Sequence, residues 1–127
     1  MRVTIKSVLD PASGLVEFQS ELGASRGRWW AGPMPVPGTT YFVEVDVNKV
    51  LTVGTDFVYV DDVDQPSIGG DGDRSVLIGI LERIDDDFVI FRLGKCLIML
   101  EVEGAPLTKG ACVRVGPVHL SLSDMMY

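Results

Sequence analysis

Residues 67–75 read SIGGDGDRS, and the spacing of Asp71 and Asp73 behind two glycines is one that hard cations favour. Two known calcium designs can be set against it. A nonapeptide repeat of the GGxGxDxUx kind needs an aspartate where Arg74 stands, and it needs stacked copies where this chain has one. An EF-hand loop needs a bidentate glutamate at its twelfth position and a helix on each side, and neither is present in the sequence. The stretch therefore reads as a flexible Gly-rich loop whose aspartates stay in water. No metal site is expected there.

Carboxylates recur at i, i+2 in Glu44 with Asp46 and in Glu101 with Glu103. On a strand this spacing puts both on one face about 6.5–7 Å apart, which general acid–base chemistry could use. The outer face of a half-solvated strand carries the same pattern, and that is the reading taken. His119 is the single histidine and shares no metal-ligand spacing with a cysteine. Strand alternation turns Cys96 inward with Ile98 and Cys112 outward with Arg114, so no disulfide is expected. No nucleophile–base pair or phosphate loop is recognisable, so the expectation is a non-enzymatic protein without a cofactor.

SRGRWWAG (residues 25–32) sets two tryptophans beside two arginines, a combination that can clamp a ligand by stacking. Neighbours on a strand point to opposite faces, so Trp29 and Trp30 cannot form one platform. The simpler reading anchors one ring in the core and covers the other with the proline-rich segment. The alternative is a small-ligand or oligosaccharide site built from Trp29, Trp30 and Tyr41, with the second ring exposed.

These residues must be held by strands, because the apolar period is 2 nearly everywhere. TYFVEVDV sets Val43, Val45 and Val47 against Glu44 and Asp46; KCLIMLEVE sets Cys96, Ile98, Leu100 and Val102 against its glutamates. SVLIGILERI and DFVIFRL are apolar on both faces, as central strands are, and Gly79 inside the first marks a bend or bulge. DPASG, IDDDF and LGKC are turn connections, and Pro33, Pro35 and Pro37 exclude helix from the longer break before Thr40. No stretch carries a helical stripe. The expectation is an all-β, single-domain antiparallel barrel or sandwich over residues 1–127, with an OB-like C-terminal half at residues 75–122. Its core should include Phe18, Val43, Val45, Ile98, Leu100, Val113 and Leu120.

Charge is distributed unevenly. Residues 56–87 hold ten acids against Arg74 and Arg83, while the whole chain carries a net −7, so the rest is nearly neutral. Phosphate backbones attract the opposite sign, which excludes nucleic acid as the expected partner. The sequence has neither a signal-peptide apolar region at its start nor an apolar run long enough for a membrane span. With two cysteines only, the expected place is the cytoplasm.

The frame YFVEVDVNKVLTVGTDF, IGILERIDDDFVIFRLG and LEVEG, over residues 40–124, resembles small acidic all-β bacterial proteins, some of which are toxin-immunity proteins. The resemblance implies a protein-binding role and transfers no functional residue. Beside it, the acidic window itself points to a basic protein partner, with a basic toxin as the concrete case. The contact residues expected are Asp61, Asp62 and Asp64 in one loop and Asp85, Asp86 and Asp87 in another. That surface requires both loops to lie near one end of the fold.

Overall fold

The computed structural model describes residues 1–30, 32–61, 65–86 and 88–125. The protein is all-β, and no helix occurs among the described residues, hence none long and apolar enough to cross a membrane. In chain order the first strands are β1 (Arg2–Asp10), β2 (Leu15–Ser20), β3 (Gly23–Trp29), β4 (Thr40–Asp46), β5 (Leu51–Thr52) and β6 (Phe57–Tyr59). They are followed by β7 (Ser67–Asp71), β8 (Arg74–Ile84), β9 (Val89–Leu93), β10 (Cys96–Leu100), β11 (Val102–Glu103), β12 (Cys112–Val118) and β13 (Ser121–Asp124).

A closed barrel runs β1-β2-β3-β13-β4. Its last strand is inserted between β3 and β4, antiparallel to β4 but parallel to β3, with Leu122 beside both Val45 and Trp29. The intervening chain builds an open sheet in the order β10-β9-β8-β12-β6, with β7 on β8, and a short parallel pair of β11 with β5. The five-stranded closure expected within residues 75–122 thus forms mainly from the first 46 residues and is completed by β13. The all-antiparallel expectation also yields to two parallel pairs. The cause is β3, whose inward positions Ser25 and Gly27 are small, so that no apolar alternation announces a strand.

Barrel and sheet share one hydrophobic cluster, in which Phe18, Val43 and Leu122 from the barrel join Leu77, Phe91 and Val113 from the sheet. All seven core residues expected from periodicity are buried. Between the two layers lies a small polar seam. Ser25 Oγ is 2.5 Å from Ser75 Oγ and 3.3 Å from the Gly69 carbonyl, and Ser75 Oγ is 3.1 Å from the Arg26 carbonyl. With two hydroxyl protons for three contacts, at most two are hydrogen bonds at any moment.

Gly79 marks the point where β8 changes partners along one edge. Ile78 pairs with Ser67 of β7, and Ile80 pairs with Arg92 of β9. The register shift on that edge falls between Leu81 and Arg83, so the bulge is not at the glycine. Gly79 instead makes room: a β-carbon there would lie 2.4 Å from the Arg92 carbonyl oxygen and 2.8 Å from the tip of the Phe91 ring.

The connection from β5 to β6 is tied by Asp56, which is only 5% exposed. Its Oδ1 accepts the Thr52 N–H at 2.6 Å and its Oδ2 meets Lys49 Nζ at 2.8 Å. Burial alone would raise the carboxyl pKa. The bonds from Lys49, from the Thr52 N–H and from its own N–H outweigh it and hold the group below the usual carboxylate value.

Candidate functional site

SIGGDGDRS is a β-hairpin rather than a flexible loop. Ser67–Asp71 form β7, Asp71 pairs with Arg74, and Gly72–Asp73 make the two-residue turn with Gly72 at φ +62°. The aspartates are engaged by arginines: Asp73 Oδ1 accepts from Arg26 at 2.9 Å, and Asp71 lies 3.9 Å from Arg74. The glycines at 69 and 70 belong to the strand that packs on β3, which explains a composition that imitates a metal loop. Among the described residues no three metal-ligating side chains converge.

Two of the three aromatic residues of the stacking alternative meet, and the third faces away. Trp29 is 5% exposed and packs edge-on against Tyr41 at 5.0 Å, inside the barrel. The Tyr41 hydroxyl accepts the Val36 N–H at 2.9 Å, which holds the proline-rich segment down. Trp30 points outward and is 63% exposed, so that segment does not cover it. Trp29 and Tyr41 thus pack together, while Trp30 is exposed, as the ligand alternative requires. The outward ring belongs to a set of exposed apolar side chains that includes Phe42 at 66%, Leu97 and Met99. Phe42 also lines a cleft of about 440 Å³ between the start of β1 and the β9–β10 turn.

For Asp61, Asp85 and Asp86, strand direction gives the placement. β6 and β8 are both antiparallel to β12, so they run the same way. Val60 donates to the Cys112 carbonyl and Cys112 pairs with Ile80, which puts Asp61 level with Leu81 near the end of β8. Asp85 and Asp86 follow β8 directly. Asp61 and Asp85 therefore sit at the same end of the sheet, on the order of 15 Å apart by strand rise and spacing. Asp61 and Asp86 are exposed, whereas Asp85 is half-buried and bonded to Arg83 at 3.2 Å. Glu82 nearby is neutralised by Arg92 at 2.7 Å. Asp62, Asp64 and Asp87 lie outside the described residues.

The paired carboxylates Glu44/Asp46 and Glu101/Glu103 face solvent or are half-exposed, and His119 is exposed. Both cysteines are reduced thiols. Cys96, expected to be buried, is half-exposed beside the cleft at Phe42, yet desolvation still pushes its thiol pKa up. Less thiolate means slower alkylation. In native protein a maleimide should therefore modify Cys112 first and Cys96 more slowly, as followed by mass spectrometry. Equal rates, or Cys96 first, would contradict this.

Two signals escaped sequence reading: the hairpin at residues 67–75, and the exposure of Phe42. No protein-family model, curated protein or solved structure matches the chain.

Proposed function

We propose that the protein is a non-enzymatic binding module that docks a basic protein partner on the acidic end of its second sheet. The observation that carries this reading is the parallel course of β6 and β8, which brings Asp61 to the end where Asp85 and Asp86 emerge. Arg83 and Arg92 neutralise Asp85 and Glu82 there, while Asp61 and Asp86 have no ion-pair partner among the described residues. Concentrated uncompensated charge accelerates encounter with a partner of opposite sign. Exposed Trp30, Phe42 and Met99 are residue types that interfaces favour, and they support a binding role in general. Neutralisation of a basic toxin is the concrete form of the proposal.

The partner to try is the basic protein encoded nearest to this chain's gene. Asparagine at positions 61, 62, 64, 85, 86 and 87 should preserve the fold and slow association severalfold in stopped-flow measurements. The difference should shrink as salt brings the screening length to about 8–10 Å or less. An association rate indifferent to both the substitutions and the salt would remove the acidic end from the mechanism.

A further inference from the structure

One region of this acidic protein has the opposite sign. Where the barrel meets the second sheet, a cleft of about 330 Å³ is lined by Arg28, Lys49, Arg74 and His119, with Asn48 and Ser121 beside them. No aspartate or glutamate lines it, although the chain contains 18 acids against 11 lysines and arginines. Four separate pieces of chain converge. Arg28 comes from β3 and Arg74 from the start of β8, Lys49 from the link between β4 and β5, and His119 from the link between β12 and β13.

The backbone fixes this convergence. Val118 pairs with Ser75, which places His119 near Arg74, and the Arg28 N–H donates to the Leu120 carbonyl at 2.8 Å, which places it near Arg28. Asn48 Nδ2 donates to Ser121 Oγ at 3.1 Å and anchors the Lys49 side. Lys49 is matched by Asp56 behind it at 2.8 Å, and Arg74 is only loosely paired with Asp71 at 3.9 Å. Arg28 has no ion pair among the described residues and is exposed. Arg28 thus leaves one positive charge in the cleft without an ion pair among the described residues, beside several N–H donors.

We propose that this cleft binds the phosphate group of a small phosphorylated molecule. Arginine forks on two sides, with an ammonium, an imidazole and a hydroxyl between them, suit a tetrahedral oxyanion that accepts several charge-assisted bonds. The volume exceeds that of a bare phosphate and falls at the lower end of small-ligand pockets. Half-buried Pro117 gives the organic remainder an apolar contact.

The test titrates the full chain with inorganic phosphate, glucose 6-phosphate and acetate at fixed ionic strength, observed by amide NMR. Saturable shifts at residues 28, 74 and 118–121 are expected with both phosphates, stronger with the sugar phosphate, and none with acetate. Each lost arginine removes charged hydrogen bonds, so Arg28→Gln and Arg74→Gln should each weaken binding about tenfold. His119→Gln, on an exposed side chain, serves as a second variant in which the fold is undisturbed. Asp61→Asn, Asp85→Asn and Asp86→Asn should leave phosphate binding unchanged, which separates this site from the acidic end. Absence of saturable shifts in the wild type, or equal affinity in the arginine variants, would overturn the proposal. So would binding of a single-stranded oligonucleotide without binding of either monophosphate.

Discussion

Phe91→Ala should lower the unfolding free energy by about 3–5 kcal/mol, a large part of the roughly 5–15 kcal/mol typical of a domain. The ring is fully buried on β9, opposite Leu81 of β8 and Ile98 of β10, and its tip fills the space that Gly79 leaves open. Removing it leaves a cavity among neighbours fixed by sheet hydrogen bonds on both sides, which limits collapse. Gly79→Ala attacks the same contact from the other side, by driving a methyl toward the ring and the Arg92 carbonyl. The two losses should be less than additive in the double variant, because the ring that the methyl strikes is gone. Urea unfolding of the four proteins measures the coupling. A Phe91→Ala loss under about 1 kcal/mol would mean that the sheet closes over the gap.

The second large effect belongs to Asp56. Alanine there leaves the Thr52 N–H without its acceptor and removes a charged hydrogen-bond hub, so a loss of about 2–3 kcal/mol at neutral pH is expected. Lys49→Ala should cost much less, since the ammonium is well exposed and water replaces its partner. The pH dependence follows from the direction of the shift. A carboxyl held below its usual value in the fold binds fewer protons than it does unfolded, so it stabilises above the unfolded pKa. That contribution fades as pH falls below about 4 and through the lowered value. The gap between wild type and Asp56→Asn should therefore be widest near neutrality and narrow in acid. A gap independent of pH would show that the charge is irrelevant and only the geometry counts.

What could be read beforehand depended on whether inward positions were apolar. Val43, Val45, Ile98 and Leu100 alternate with polar neighbours, and their strands and core assignments follow from that alone. β3 and β7 bury Ser25, Gly27 and Gly69 or pack them closely, so they carry no hydrophobic period and resemble loop in sequence. The strands that close the barrel are hidden for the same reason, since closure runs through β3. The neighbourhood of Asp61 and Asp85 depends on strand direction, which composition does not encode. The cationic cleft is less legible still. Arg28, Lys49, Arg74 and His119 are spread over most of the chain, and only the pairing of Val118 with Ser75 and of Leu120 with Arg28 brings them together.

The insertion of β13 between β3 and β4 also has a temporal meaning. During synthesis the first four strands exist long before residues 121–124, so β3 and β4 each wait with one row of hydrogen-bonding groups unpaired. Such edges are templates for pairing with other chains. The contacts that finally cover them join residues far apart in sequence, and loop closure of that kind slows folding toward the millisecond-to-second range. The nascent chain is therefore most prone to association with itself before its last strand arrives. Synthesis that pauses ahead of residue 121 should prolong that window, whereas the finished barrel has no edge left to offer.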